Sequence, residues 1–168
     1  MVTKEKAMMP DLGLKENAMT GAVEILSKML ADEFLLRVKL RKYHWNVTGP
    51  QFHALHEMFE EQYEALATLI DETAERIRAY GAMSPGTMEE FLDLTRLSEN
   101  PGNIPNAAGM VENLVSDHEA MVRNLREDIK TAEDNYEDVG LADFLTGYLQ
   151  EHQEMAWMLR SFVETAGI

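Results

Sequence analysis

Residues 44–81 read HWNVTGPQFHALHEMFEEQYEALATLIDETAERIRAYG, and the spacing within this stretch decides the architecture. Phe52, Leu55, Phe59, Leu66, Leu69, Ile70, Ala74 and Ile77 recur at helical steps, which predicts one long helix from about Gln51 to Tyr80, stopped by Gly81. On such a helix His56/Glu60 and Asp71/Glu75 are pairs one turn apart. At about 100° per residue, Glu60, Asp71 and Glu75 lie roughly 40°, 60° and 100° around the axis from His56, so one stripe carries all four. Along the axis, however, Asp71 stands about 22 Å from His56 at the rise of an α-helix, too far for one coordination sphere. Two copies packed antiparallel about a two-fold axis bring His56 and Glu60 of one opposite Asp71 and Glu75 of the other. This spacing points to a metal site shared between subunits.

Working outward, a helix with Val23, Leu26, Leu30, Leu36, Leu40 and His44 on one face precedes this stretch, with Thr20 as its expected N-cap and Thr48-Gly49-Pro50 as its break. Residues 1–19 are expected to form a flexible tail and residues 20–168 a single domain. After Gly81, Thr87 and Glu90 form a capping box ahead of a short helix with Phe91 and Leu94. A third long helix follows through Val111, Leu114, His118, Met121, Leu125 and Ile129. A fourth carries Phe144, Leu145, Tyr148, Leu149, His152, Leu159 and Phe162 and ends before Gly167. No alternating segment reads as a strand. The pattern is all-α: a ferritin-like four-helix bundle with a short extra helix in the connection between the second and third long helices.

Composition narrows the chemistry. The 168 residues are 45% hydrophobic and contain no cysteine, so any metal must be held by oxygen and nitrogen. No apolar run is long enough to span a bilayer, and a cytoplasmic protein without a membrane partner is expected. The net charge of -15 attracts cations and repels nucleic-acid phosphates. Imidazole and carboxylate suit iron, manganese or zinc, and the stripe supplies both, with His44 joining if the end of the first helix packs beside His56. The competing reading is a solvated acidic face. Against it, His44 and His56 border an apolar stripe, and Asp71 lies between Ile70 and Ala74, where a buried carboxylate would need a cation or a proton. A di-iron site within one chain would carry Glu-x-x-His on two helices. Arg41, Pro50, His53, Val115 and Leu149 stand three positions before the five histidines, so that arrangement is absent.

The residues His44-Trp45-Asn46-Val47-x-Gly49, Phe52, Leu55-His56, Phe59-Glu60, Tyr63, Asp71 and Ala74-Glu75-Arg76-Ile77 with Gly81 resemble the signature of the Dps family, the mini-ferritins. Ala142-Asp143-Phe144-Leu145-Thr146 and Trp157-Met158-Leu159 extend the similarity to the last helix. The resemblance implies a cytoplasmic, in some members nucleoid-associated, dodecamer. It would oxidise Fe(II), preferably with hydrogen peroxide, store the ferric product, and so protect against oxidative stress. It implies a ferroxidase centre of His44, His56 and Glu60 facing Asp71 and Glu75 of a partner across a two-fold interface, with Zn or Mn able to take the same ligands. Several members carry Asp where this chain has Glu60, a change of metal distance rather than ligand type. The resemblance also makes Asp138 and Asp143 candidates for the lining of an iron inlet, although acids at a helix start also offset the macrodipole. Trp45 is a candidate quencher of stray oxidising equivalents, or simply a packing aromatic.

Other residues read more plainly. His118 and His152 continue apolar stripes and are expected to be hydrogen-bonded core or interface residues, and Met29, Met121 and Met155 core filler. His53 forms a His-x-x-His pair with His56 but is left out of the site. The alternative function, nucleoid-associated DNA binding and protection, is poorly supported. Lys4, Lys6 and Lys15 are interleaved with Glu5, Asp11 and Glu16, so weak or no DNA binding is expected at neutral pH.

Overall fold

The computed structural model of the chain describes residues 10–166. Five helices, and no strand among the described residues, make up the fold: α1 (Glu16–Asn46), α2 (Phe52–Ala79), α3 (Met88–Leu94), α4 (Ala107–Asp134) and α5 (Val139–Ala166). Contacts between them fix their directions. Arg37 on α1 donates to the Tyr63 carbonyl on α2 at 3.1 Å, while His44, later on α1, meets His56, earlier on α2. These two helices are therefore antiparallel. Lys39 pairs with Asp117, and Gly21 abuts Tyr136 just beyond α4, so α1 and α4 are antiparallel as well. Gln62 donates to the Met155 carbonyl and the Tyr148 hydroxyl to the Leu69 carbonyl, which makes α2 antiparallel to α5. It follows that α2 and α4 run the same way, and the chain between them must travel the length of the bundle.

That connection is anchored along its path. Thr87 and Glu90 form the expected capping box at the start of α3, and Phe91 stacks on Phe34 of α1 with ring centroids 4.4 Å apart. Beyond α3, Arg96 reaches Asp32 of α1 and Asp128 of α4, each at 2.7 Å. Asp32 is fully buried, and a carboxylate there needs such a partner to be tolerated. Leu26, Leu36, Leu40, Leu55, Phe59, Leu66, Leu114 and Leu125 fill the interior where the helices meet. Each contributes about 1.5–3 kcal/mol of transfer free energy.

The start of the domain differs from expectation. The first helix begins at Glu16, and Thr20 lies within it, its hydroxyl bonded to the Glu16 carbonyl at 3.0 Å rather than capping. Residues 16–19, expected in the tail, are helical because the added turn buries Ala18. Leu14 packs against the core ahead of them. Gly21 does not break the helix. A Cβ there would come within 2.1 Å of the Tyr136 ring, so the glycine makes room for that side chain. The rest of the expected tail, residues 1–9, and the expected stop at Gly167 lie outside the described residues.

Candidate metal centre

The α1–α2 turn brings His44 and His56 together. α1 ends with Val47 in extended backbone, and Gly49 at φ 109° takes a conformation that side-chain-bearing residues avoid, turning the chain into α2. The two imidazoles then lie nearly parallel, with centroids 3.7 Å apart and planes 18° apart. Each is tied to the other's backbone: His44 Nδ1–H donates to the His56 carbonyl and His56 Nδ1–H to the His44 carbonyl, both at 2.8 Å. A carbonyl can only accept, so both Nδ1 atoms carry the hydrogen. In a neutral ring so held the lone pair is on Nε2, and the backbone bonds fix tautomer and ring orientation. The bond to His44 also satisfies a carbonyl in the last turn of α1, where no intrahelical partner exists.

One turn along α2, Glu60 is exposed and its Oε1 accepts from the Tyr63 hydroxyl at 3.3 Å. Tyr63 is buried edge-on against His44, with centroids 5.3 Å apart. Burial first, and then the Glu60 charge, push its pKa up, so it remains a phenol able to donate. The Arg41 guanidinium lies over both the Tyr63 and the Trp45 rings, at 5.4 and 5.3 Å from their centroids. Trp45 is 66% exposed, so in a single chain it is not a packed core aromatic. Phe52, beside His56 at 5.1 Å, is also exposed.

Asp71 and Glu75 lie on the same helix, as expected, but both are exposed and Ala74 is only half-buried. The expectation that Asp71 is a buried carboxylate does not hold within one chain, because this part of α2 turns it toward solvent. Among the described residues no three His, Asp or Glu side chains are placed to hold one metal ion. The structure thus stacks His44 on His56, ties Glu60 to Tyr63 one turn further along α2, and leaves Asp71 and Glu75 exposed further along the same helix.

The remaining candidates separate clearly. Asp138 is buried at the start of α5, where Oδ1 accepts from the Leu141 amide at 2.9 Å and Oδ2 from the Tyr80 hydroxyl at 2.6 Å. It caps the helix and holds Tyr80, whose pKa is driven up by burial and by this bond. Asp143 is exposed on the first turns of α5. His53 is solvent-facing and lies 3.6 Å from Glu57. Met29, Met121 and Met155 are core residues, and His118 and His152 are completely buried and hydrogen-bonded to each other, all as expected. Sequence reading missed their third partner, Glu33 on α1, which accepts from His152 at 2.8 Å. Glu33 recurs at core spacing after Leu26 and Leu30, and that was the available signal.

Comparisons with known proteins agree with this architecture. The ferritin-like domain family matches residues 23–167. An uncharacterised low temperature-induced protein of Nostoc is 51% identical over 92% of this chain and 86% of its own length. The DNA protection during starvation protein 2 of Bacillus anthracis is 43% identical over 84% of this chain and 95% of its own. The crystal structure of a Dps protein from Vibrio cholerae, described as a member of a broad superfamily of ferritin-like diiron-carboxylate proteins, superposes with a TM-score of 0.84 and 26% identity, covering 94% of this chain and 98% of that one. Fold, signature residues and relatives converge, and the chain belongs to the Dps family of ferritin-like proteins.

Proposed function

We propose that the protein is an iron-storing ferroxidase whose substrate, Fe(II), binds between two copies of the chain. His44, His56 and Glu60 of one copy would supply two imidazoles and a carboxylate, and Asp71 and Glu75 of the other would complete the set. The observation that supports this reading is the reciprocal tethering of His44 and His56 through their Nδ1 atoms, which leaves both Nε2 atoms available, with Glu60 one turn further along α2. Second is the placement of Asp71 and Glu75 on the same helix, exposed and several turns beyond His56. The exposed Trp45 and Phe52 beside the histidines give the face an apolar border suited to a second copy.

The donor set fits iron, and zinc or manganese could occupy it. In the chain's own chemistry the histidines bind as neutral ligands. Glu60 offsets the metal charge while Tyr63 holds its orientation. Hydrogen peroxide is the preferred oxidant in this reading: two Fe(II) each give one electron, the O–O bond breaks, and two protons complete two waters, so no hydroxyl radical is released. Trp45 stands where it could absorb a stray oxidising equivalent, with Arg41 over its ring. Asp143, exposed near the start of α5, is the better placed of the two inlet candidates, and Asp138 is occupied with capping. The assembly proposed is a dodecameric shell that retains ferric mineral.

The test is anaerobic addition of Fe(II) to the purified assembly followed by a peroxide pulse, reading ferric absorbance and iron co-eluting on a sizing column. Fast oxidation that is lost in Glu75→Ala, with assembly intact, supports the reading, while binding without oxidation removes the enzyme. The relatives' names favour a second reading, protection of DNA by binding it. Net charge of -15 argues against direct binding at neutral pH.

A further inference from the structure

The candidate metal set leaves unused a polar thread through the centre of the bundle. Glu33 on α1, His118 on α4 and His152 on α5 are each 0% exposed. His152 Nε2 lies 2.8 Å from Glu33 Oε1, and His152 Nδ1 lies 2.9 Å from His118 Nδ1. Both ends of the thread are open: neither Glu33 Oε2 nor His118 Nε2 has a hydrogen-bond partner, and the same is true of Gln62 Oε1. α1 meets Tyr63 of α2 through Arg37 and Asp117 of α4 through Lys39, which puts Gln62 and His118 at one level of the bundle. Gln62 donates one of its two amide hydrogens to the Met155 carbonyl, one turn beyond His152.

Counting hydrogens shows what this arrangement does. Two facing imidazole nitrogens at 2.9 Å must share one hydrogen. While Glu33 is a carboxylate it can only accept, so the hydrogen of His152 is on Nε2. His152 Nδ1 must then accept, the hydrogen of His118 is on Nδ1, and His118 Nε2 is a bare acceptor. One added proton reverses the chain. Whether it rests on Glu33 or makes His152 an imidazolium beside the carboxylate, His152 Nδ1 becomes the donor and His118 must carry its hydrogen on Nε2.

We propose that Glu33, His152 and His118 form a one-proton relay through the bundle core, in which proton uptake switches His118 Nε2 from acceptor to donor at the level of Gln62. In the transfer an N–H bond forms at His118 Nε2 as the Nδ1–H bond breaks. That proton bonds His152 Nδ1 as the Nε2–H bond breaks, and the second proton bonds Glu33 Oε1. One proton enters, one comes to rest on Glu33, and no electron moves. Burial, and then the neighbouring His152, hold the His118 pKa well below the usual imidazole range. His118 therefore passes the extra charge on, to a place where the carboxylate cancels it. Few other groups face the thread. Tyr148 on α5 senses the Glu33 charge, burial keeps it a phenol, and it approaches Glu72 on α2 at 3.4 Å. Asp32, next to Glu33 on α1, is engaged with Arg96. From α2 the neutral Gln62 faces the core.

The relay is testable without any metal. Full-length protein labelled with nitrogen-15 in its imidazoles is titrated by NMR, which distinguishes Nδ1–H from Nε2–H on each ring. The expected result is that His118 changes from the Nδ1–H to the Nε2–H form at the same midpoint at which His152 gains its Nδ1 hydrogen, and that Glu33→Gln abolishes the His118 change. Separate midpoints for the two rings in the unsubstituted protein, or a His118 tautomer that never changes, overturn the relay. A His118 switch that survives Glu33→Gln overturns the role of Glu33. The unsubstituted titration decides the matter even if Glu33→Gln fails to fold.

Discussion

Replacing Asp138 separates a capping carboxylate from one that serves a passing cation. In Asp138→Ala, α5 loses the acceptor for the Leu141 amide, and the buried Tyr80 hydroxyl loses its partner at 2.6 Å. A lost N-cap costs about 1 kcal/mol, and a buried donor left without a partner costs about 1–3 kcal/mol. Together the substitution should destabilise the protein by about 2–4 kcal/mol, which at a urea slope of about 2 kcal/mol per M lowers the unfolding midpoint by roughly 1–2 M. Asp138→Asn keeps an oxygen for the Leu141 amide and a polar group for Tyr80, so it should lose about 1 kcal/mol, mainly the charge assistance. Urea titration by far-UV circular dichroism of both variants, with Tyr80→Phe to isolate the second bond, is the assay. If Asp138→Ala unfolds at the same urea concentration as the unsubstituted protein, the cap contributes nothing and this reading of Asp138 fails. If Asp138→Asn is nearly as stable as the parent yet takes up iron much more slowly, the charge serves the inlet as well.

Asp71→Ala and Glu75→Ala should each abolish fast peroxide-dependent Fe(II) oxidation in assemblies of normal size, whereas His53→Ala should leave the stopped-flow ferric signal unchanged; the opposite ranking would sink the proposed ligand set. Tyr63→Phe should weaken Fe(II) binding several-fold in anaerobic calorimetry by freeing Glu60, and unchanged affinity would show that the 3.3 Å contact does no positioning. Because burial holds the folded-state pKa of His118 below its unfolded value, its contribution to stability is complete above about pH 6.5. It is lost as the pH falls, at about 1.4 kcal/mol per pH unit, as the unfolded chain takes up a proton that the folded ring refuses. Urea midpoints from pH 7 to 5 should therefore fall less steeply in His118→Gln than in the parent. Gel mobility of duplex DNA should be unaffected by the protein at neutral pH and moderate salt, and a shift that persists after deletion of residues 1–15 would refute the charge argument.

Much of this molecule is legible in its sequence because helical periodicity and punctuation are local signals. Leu55, Phe59, Leu66 and Ile77 set the buried face of α2, and Thr87 with Glu90 marked α3. The start of α1 was not legible. Thr20 carries the chemistry of a cap, but whether helix continues before it depends on Ala18 reaching the core and on Tyr136 packing against Gly21, contacts between segments more than a hundred residues apart. The same holds for Asp138, whose capping bond to Leu141 is local but whose bond to Tyr80 comes from another helix. In the candidate centre, the spacing of His56, Glu60, Asp71 and Glu75 was readable, while the exposure of the carboxylates was not, since burial depends on what packs against a helix face. Which nitrogen of His44 and His56 is free was equally hidden, because it is set by carbonyls across a turn.

The division of the candidate ligands along α2 has a chemical consequence. With the proposed ligands, a lone chain would offer only part of the set at either place, so iron bound to either part alone would keep open positions and water ligands. Oxidation by peroxide at such an incompletely held iron is the one-electron chemistry that releases hydroxyl radical. If two copies must meet to complete the ligand set, both iron positions fill only where the oxidant can receive two electrons, and where the enclosing assembly can retain the product. The net charge of -15 is compatible with the proposed arrangement, since it would draw cations such as Fe(II) toward the protein. The internal histidines follow the opposite rule. His118, His152 and Glu33 hydrogen-bond one another within a single chain and need no partner copy, and acid should weaken the bundle through His118, whose buried ring refuses the proton that the unfolded chain accepts.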